Sequence, residues 1–387
     1  MKKQSKLINF IGVILAFFLI TALALPVLTG TDESAELSAE EKAEILIKDM
    51  TIEQKIGQML FCEFRWNALG KVTKIDNNIK KIINDYGIGG VVLFSENIQS
   101  TKQVTDFIHS LQQASDIPLF ISIDEEGGRV FRTRALNVPR ISSAFSIGKT
   151  GDTKNAYNAA KTIAAYLKPL GFNVNFAPVA DVLTNSANKV IGDRAFSTDA
   201  NKAGEMVRHF VEGLLDNGIL PTLKHFPGHG HTSEDSHYGM AITRKTLAEM
   251  SECEFIPFKA GIDAGAVFVM TGHISTPGIV DGNIPATFSG FLLQDVLRGT
   301  LGFEGIIITD ALAMGAIANY YTSEETAVKS ILAGVDMLLA PQNLGEAYAG
   351  LLKAVKSGEI AEERINESVK RILLAKLKAG LIELRGK

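Results

Sequence analysis

The sequence predicts a (β/α)8 barrel, because short apolar runs and amphipathic stretches alternate along nearly all of its 387 residues. Eight runs have the length and the apolar character of buried parallel strands. They lie at residues 59–64, 91–94, 119–123, 174–179, 219–223, 266–270, 306–309 and 337–339. Several stretches between them end in a residue followed by glycine, such as Tyr86-Gly87 or Asn217-Gly218. A glycine at the end of a helix is the usual connection to the next strand.

The intervening stretches have the spacing of amphipathic helices. They lie at residues 79–83, 104–111, 156–170, 206–215, 291–297, 326–332 and 347–355, and a last helix is predicted over 361–384. Helix starts are indicated at Ser38, Thr51 and Thr243. A doubly wound open sheet is the alternative. It is weaker, because no Gly-x-Gly-x-x-Gly turn follows an early strand. No linker rich in Pro, Gly or Ser follows residue 40, so we predict one catalytic domain over residues 41–387.

The composition is that of a globular protein with a large core, since 46% of the residues are apolar and 21% are charged. A net charge of −4 gives no reason to expect a nucleic-acid partner. Cys62 and Cys253 could form one bridge, but two free thiols are favoured because Cys62 lies in an apolar run. We expect a monomer that needs no cofactor.

The N-terminal segment predicts export. Lys2, Lys3 and Lys6 precede an apolar run over residues 7–28, and a polar stretch follows. Residues 1–30 are interpreted as an export signal or a membrane anchor, and residues 31–40 as a polar linker. Cleavage near Ala22-Leu23-Ala24 would release a secreted protein, whereas the uncleaved run reaches the roughly 20 residues needed to span a bilayer. Either route places the catalytic domain outside the cytoplasm.

Ionisable residues follow five of the predicted strands, where (β/α)8 barrels place their chemistry. They include Asp124 to Arg132 after strand three, Asp181 and Arg194 after strand four, Lys224 and His225 after strand five, His273 after strand six and Asp310 after strand seven. A single one of these could be a helix cap. A whole ring of them at one end of the barrel indicates a site.

Glycosidic bond cleavage suits such a ring, because it needs a carboxylate against the anomeric carbon and a proton donor at the leaving oxygen. Asp310 is the predicted nucleophile, since it ends a very apolar strand that would hold it rigidly. His237 is the predicted acid/base. Asp235, two residues earlier, can fix its tautomer and raise its basicity.

A clustered set of histidines leaves a metal site open as the rival interpretation. His225, His229, His231 and His237 could bind zinc for metal-assisted hydrolysis. Lys224 would then place a cation beside a cation, and the motif HExxH is missing. The primary interpretation therefore contains no metal.

Several segments resemble glycoside hydrolase family 3, in its β-N-acetylhexosaminidase branch. Residues 224–230 read KHFPGHG and are followed by Asp235-Ser236-His237. Residues 123–130, 175–182, 191–196 and 309–314 are similar to further segments of the family, in the family's order. The resemblance spans about residues 50 to 340, and the length of the chain suits the single-domain form.

The resemblance implies a retaining, two-step hydrolase on a (β/α)8 barrel. Asp310 is then the nucleophile and His237 the acid/base, with Asp235 completing the dyad. The residues that fall where this branch binds the non-reducing GlcNAc are Asp124, Arg132, Arg194, Lys224 and His225. Glu125 departs from the family pattern, where Gln or His is common, and is expected to adjust the rim of the site.

These observations favour an exported exo-β-N-acetylglucosaminidase that acts on peptidoglycan fragments or chitin-type oligosaccharides. A β-glucosidase or β-xylosidase of the same family is an alternative. So is a phosphorylase, since a neutral histidine repels phosphate less than a carboxylate does. A catalytically inactive wall-binding protein is the alternative outside enzymes.

Overall fold

Eight parallel strands form one sheet in the computed structural model, which describes residues 37–232 and 239–383. We label them in chain order as β1 (Leu60–Glu63), β2 (Gly90–Leu93), β3 (Phe120–Ile123), β4 (Val174–Asn175), β5 (Leu220–Phe226), β6 (Phe268–Thr271), β7 (Ile306–Thr309) and β8 (Leu338–Leu339). Each lies within or overlaps one of the eight predicted runs.

The sheet closes on itself. Consecutive strands from β1 to β7 pair in parallel, and β8 pairs with β1 through the registers Leu60–Leu338 and Phe61–Leu339. A parallel bridge between Ile308 and Met337 joins the last strand to β7. The predicted (β/α)8 barrel is therefore confirmed.

Helices surround the strands. The α-helices span Ala39–Asp49, Ile52–Gln58, Asn77–Tyr86, Thr101–Gln113, Ala144–Gly148, Thr153–Leu170, Ala200–Leu215, Leu247–Ser251, Phe255–Asp263, Gly315–Ala318, Ser323–Ala333, Leu344–Ser357 and Glu362–Lys378, and a π-helix spans Phe291–Thr300. Ser38 and Thr51 cap the first two helices with the expected capping boxes. Gly87 ends Asn77–Tyr86 in the left-handed conformation, at a φ of 58°.

Several boundaries differ from the sequence prediction, and three of them are informative. The helix predicted to start at Thr243 begins three residues later, because Thr246 forms the capping box with Glu249. The C-terminal helix ends at Lys378 and not near residue 384, and Gly380 follows it with a φ of 68°. Strand β5 continues through Lys224 and His225 to Phe226, so this charged pair lies inside the strand and not after it.

The core fills the barrel with aromatic and branched side chains. Rings pack in pairs across it, with centroids 5.6 Å apart for Phe61 and Phe176 and 5.2 Å apart for Phe120 and Phe268. Cys62 is buried and Cys253 is half-buried, and both are free thiols. Such a packed interior fixes the strand ends, where the ionisable residues lie.

The apolar run at residues 7–28 lies outside the described residues. Within residues 37–232 and 239–383, no helix has the length and apolar character needed to cross a membrane.

Candidate active site

A cavity of about 670 Å³ opens at the carboxyl ends of the barrel strands. Six of the predicted site residues line it together, namely Asp124, Arg132, Arg194, Lys224, His225 and Asp310. They come from segments up to 186 residues apart in the chain (310 − 124), so only the barrel brings them together. The other two predicted residues, Asp235 and His237, lie outside the described residues.

A buried ion-pair network forms one wall of the cavity. Lys224 Nζ lies 2.7 Å from Asp124 Oδ1 and 2.7 Å from Glu126 Oε1. Arg194 binds both oxygens of Glu126, with Nε and Nη2 each 2.9 Å from one of them. Burial alone would raise the pKa of Glu126, but Arg194 and Lys224 outweigh burial and hold this pKa well below its usual range. The network fixes Asp124 and the two cations at the cavity surface.

Arg132 lies beside this network on the loop after β3. Its Nη2 atom is 3.7 Å from Asp124 Oδ2, and its guanidinium carbon is 5.6 Å from the centroid of the Phe94 ring. The contact with Asp124 is longer than a hydrogen bond. Arg132 therefore keeps donors with which it can bind a ligand in the cavity.

His225 is oriented by a buried carboxylate. Its Nδ1 atom lies 2.8 Å from Asp181 Oδ2, and the other oxygen of Asp181 accepts the backbone N–H of His229 at 2.6 Å. With the proton on Nδ1, His225 donates to Asp181 and leaves Nε2, 3.4 Å from Arg194 Nη2, as the acceptor. Asp181 is 1% exposed and therefore acts through His225 and not by direct contact with a ligand.

Asp310 directly follows β7 and is half-buried at the cavity wall. Its backbone N–H donates to the carbonyl of Thr271 on β6 at 2.9 Å, so the strand ladder extends to this residue. Its Oδ1 atom accepts the N–H of Ala311 at 2.7 Å. These two bonds hold Asp310 in a fixed position at the cavity wall.

The two glycines of residues 224–230 have clear packing reasons. Gly228 adopts a φ of 132°, and a Cβ atom there would lie 2.6 Å from the side chain of Glu254. At Gly230, a Cβ atom would lie only 1.9 Å from the carbonyl oxygen of Val182. The start of the loop is thus packed tightly against Glu254 and against the segment that follows β4.

His229 fixes the start of the loop that follows β5. Its ring Nδ1 lies 2.6 Å from Thr232 Oγ1, and its carbonyl accepts a 2.8 Å hydrogen bond from Asn188 Nδ2. Burial, and then the neighbouring His225, lower the pKa of His229, so its ring is neutral near pH 7. The loop is therefore fixed as far as Thr232, three residues before Asp235 of the predicted acid/base pair.

The rival metal interpretation requires several histidines to converge. His225 binds Asp181, His229 binds Thr232, and His231 Nδ1 lies 3.1 Å from Thr184 Oγ1. Among residues 37–232 and 239–383, no group of three or more His, Cys, Asp or Glu side chains is arranged to hold a metal ion. His237 lies outside these ranges.

Glu125 does not lie at the rim, and this expectation from the sequence was wrong. It is 0% exposed. Its carboxylate accepts hydrogen bonds from the backbone N–H of Arg132 and from the Tyr166 hydroxyl, each at 2.8 Å, and from the Thr133 hydroxyl. Burial raises the pKa of Glu125, although these hydrogen bonds oppose the shift. Asp124 and Glu126 line the cavity, and Glu125 between them points away from it. Its hydrogen bonds hold the loop that carries Arg132.

Sequence reasoning missed several residues that matter here. Glu126 and Asp181 lie inside the quoted segments 123–130 and 175–182, so the signal was present but gave no role. Arg65 and Phe94 follow β1 and β2, which was the available signal for them. Arg65 pairs with Glu63 at 2.7 Å, and its guanidinium carbon lies 3.5 Å from the centroid of the Phe94 ring.

The fold and this cavity define a (β/α)8 barrel protein with a polar site at the carboxyl ends of its strands. The chain belongs to glycosyl hydrolase family 3, since residues 51–375 match that family's N-terminal domain. The resemblance seen in the sequence is thereby confirmed.

Relatives of known name agree with this family. The chain is 32% identical over 370 residues to β-hexosaminidase A of Pseudoalteromonas piscicida, and the match covers 86% of this chain and 62% of that protein. A family 3 β-N-acetylglucosaminidase structure from a Paenibacillus species superposes with a TM-score of 0.82 at 35% identity, covering 87% and 64%. A β-glucoside phosphorylase superposes with a TM-score of 0.81 at 26% identity, covering 89% and 62%. The chain thus spans less than two thirds of the length of each of these proteins.

Proposed function

We propose that the protein is a retaining exo-β-N-acetylglucosaminidase that is exported and acts on peptidoglycan fragments. The observation that carries this proposal is that Asp310 lines the same cavity as the buried network of Asp124, Arg194 and Lys224. A fixed carboxylate beside fixed hydrogen-bonding groups is what the cleavage of a terminal sugar requires. The names of two of the relatives above, a β-hexosaminidase and a β-N-acetylglucosaminidase, support the same activity.

Recognition of the sugar follows from the chemistry of the cavity wall. Asp124 can accept hydrogen bonds from sugar hydroxyls, while Lys224 and Arg194 can donate to hydroxyl or acetamide oxygens. These groups are held by one another before any ligand arrives. Binding therefore orders few side chains, which favours affinity for a small polar ligand.

The reaction proceeds in two displacements. Asp310 attacks the anomeric carbon and forms a glycosyl ester, while the leaving oxygen takes a proton from His237. A water then attacks the same carbon, gives its proton to His237 and releases Asp310 as a carboxylate. Asp235 holds the imidazole in the required tautomer. This pair is assigned from the sequence, because both residues lie outside the described ones.

Charge at the rim favours an acidic aglycone. Arg65, Arg129 and Lys189 line the cavity in addition to the inner network. Arg129 pairs with Asp193 at 3.1 Å and donates to the backbone carbonyl of Lys189 at 2.8 Å, so the two residues lie on one side of the rim. A carboxylate-bearing sugar of the cell wall would be attracted there more strongly than a neutral chitin-type sugar. The apolar N-terminal run supports export, which gives access to such a substrate.

The test uses the full chain with p-nitrophenyl β-N-acetylglucosaminide, with and without EDTA. We expect turnover that EDTA does not change, and an Asp310→Ala variant without activity. Asp263→Ala removes an exposed acid that pairs with Lys259 and is the matched control, which should keep wild-type activity. Proton NMR should show the β-anomer of GlcNAc forming first. A first-formed α-anomer would exclude the retaining mechanism, and loss of activity with EDTA would favour the metal interpretation.

Substrate preference distinguishes the proposed activity from the alternative enzyme activities. Faster turnover of the corresponding glucoside or xyloside would keep the barrel and Asp310 but overturn the choice of sugar. The structural similarity to a β-glucoside phosphorylase makes phosphorolysis the second candidate. A rate that rises with phosphate, together with a sugar 1-phosphate product, would establish it. Binding of cell-wall fragments with no turnover of any glycoside would indicate that the protein is a catalytically inactive binding protein.

A further inference from the structure

A short hairpin follows β1 and carries two exposed apolar side chains. Its strands, Trp66–Asn67 and Gly70–Lys71, pair antiparallel through the registers Trp66–Lys71 and Asn67–Gly70. Trp66, the single tryptophan of the chain, is 60% exposed, and Leu69 at the turn is 96% exposed. Burial of apolar surface therefore does not explain why these two residues are present.

The hairpin is nevertheless held firmly at its base. Asn97, which is fully buried, donates through Nδ2 to the carbonyls of Phe64 and Val72, at 2.7 and 2.8 Å. These two residues flank the hairpin on either side. The Val72 N–H also donates to the Arg65 carbonyl at 3.0 Å. A hairpin fixed in this way presents its side chains with little ordering cost.

The hairpin is continuous with the wall of the active-site cavity. Arg65, the residue before Trp66, lines that cavity and stacks on Phe94, which also lines it. Consecutive Cα atoms are about 3.8 Å apart, so the hairpin begins directly beside a residue of the cavity wall. A ligand too long for the cavity would therefore pass close to the hairpin on the β1 side.

We propose that Trp66 is a stacking platform for the distal sugar of an oligosaccharide substrate, outside the cavity that binds the terminal residue. This inference rests on the proposed function, since the terminal sugar must occupy the inner cavity first. The ligand is a β-linked amino-sugar oligosaccharide, whose C–H face packs on an indole ring. Lys71 lies against the same ring, with Nζ 5.9 Å from its centroid, and can donate to the hydroxyls of a stacked sugar.

The fluorescence of the single tryptophan tests the platform directly. The full-length Asp310→Ala variant is titrated with the GlcNAc trisaccharide of chitin and, separately, with GlcNAc. We expect a saturable change in Trp66 emission with the trisaccharide and none with the monosaccharide, which reaches only the inner cavity. Trisaccharide binding measured by calorimetry with unchanged emission would overturn the proposal. So would a response to anionic phospholipid vesicles alone, which would assign the hairpin to a lipid surface.

Kinetics provide the second test. Trp66→Ala should lower kcat/KM for the trisaccharide, relative to that for p-nitrophenyl β-N-acetylglucosaminide, by about three- to tenfold. Trp66→Phe, which keeps an aromatic face, should restore most of this ratio. Leu332→Ala is the control, since Leu332 is 52% exposed on the helix Ser323–Ala333 that leads to the opposite end of the barrel. An unchanged ratio in Trp66→Ala, with wild-type turnover of the small substrate, would overturn the platform alone. Absence of turnover with every glycoside would instead overturn the proposed function.

Discussion

Lys224 Nζ lies 2.7 Å from Glu126 Oε1, and this contact joins two charges that are almost completely withdrawn from solvent. Arg194 donates two further hydrogen bonds of 2.9 Å to the same carboxylate, one to each oxygen. Glu126 therefore holds together two of the cations proposed to bind the sugar. Both carboxylates line the cavity, but the side chain of Glu126 is 5% exposed and that of Asp124 is 17% exposed, so Asp124 is the more accessible to a ligand.

Replacing Glu126 by glutamine should destabilise the protein and impair activity together. The substitution leaves Arg194 and Lys224 buried with less compensating charge, which costs on the order of 3 kcal/mol of unfolding free energy. Urea unfolding measures this loss. Glu212→Gln is the control, because Glu212 pairs with Arg208 on an exposed helix face, and it should change stability by less than about 1 kcal/mol. Equal effects of the two substitutions would contradict the role of Glu126.

The same carboxylate should make stability depend on pH in acid. The pKa of Glu126 is held below its ordinary value of 4.5 in the folded protein, so the unfolded chain takes up the proton first as the pH falls. Its stabilising contribution is fully present above pH 4.5 and is lost progressively below that pH. The difference in unfolding free energy between wild type and Glu126→Gln should therefore shrink as the pH falls below 4.5. A difference that stays constant from pH 6 to pH 3 would argue against this linkage.

Glu125 should act through Arg132, as a positioning residue. Glu125→Ala removes the acceptor of the Arg132 N–H and of the Tyr166 hydroxyl, so the loop that carries Arg132 loses its internal support. We expect KM for p-nitrophenyl β-N-acetylglucosaminide to rise by about tenfold, with a smaller change in kcat. Glu125→Gln, which keeps one acceptor oxygen, should recover much of the loss. A fall in kcat with unchanged KM would point instead to contact with the reacting atoms.

Glu125 and Glu126 also show how far the sequence could predict this site. The strand periodicity identified all eight barrel strands, because buried parallel strands are short and almost continuously apolar. It also placed Asp124, Lys224 and Asp310 at one end of the barrel, where the cavity lies. The prediction did not use the fact that the alternation of strand side chains continues past β3, where Asp124 and Glu126 line the cavity and Glu125 between them points away from it.

Contacts between distant segments account for most of what the sequence could not predict. Asp181 orients His225 across 44 positions, and Asn97 closes the base of the Trp66 hairpin from 33 and 25 positions away. Asn97 is a single polar residue within an ordinary stretch, and Asp181 lies in a segment that indicates a site but not its partner. The role of each depends on which backbone groups the fold brings near it, and no local pattern encodes that.

Lys376 is a fully buried cation at the opposite end of the barrel. Its Nζ atom donates to Gln58 Oε1 at 2.7 Å and lies 5.0 Å from the centroid of the Phe120 ring. Gln58 and Phe120 lie at or before the first residues of β1 and β3, which places the ammonium group at the amino ends of the strands. Burial lowers the pKa of Lys376 to about 7, although the contacts with Gln58 and Phe120 favour the charged form.

Replacing Lys376 by methionine should therefore stabilise the protein, and most strongly below pH 7. Below that pH the lysine is charged in both states, so folding carries the whole cost of burying the charge. Between pH 7 and 10.5 only the unfolded chain keeps the proton, so wild-type stability rises and the advantage of Lys376→Met shrinks. One pKa unit corresponds to about 1.36 kcal/mol, which sets the gain at pH 6 on the order of a few kcal/mol. Urea unfolding at pH 6, 8 and 10 measures this gain.

Lys370→Met is the control on the same helix, because it removes an exposed lysine that is paired with Glu44. It should change stability by less than about 1 kcal/mol at each pH. A loss of stability at pH 6 in Lys376→Met would show that the hydrogen bond to Gln58 outweighs the cost of burying the charge.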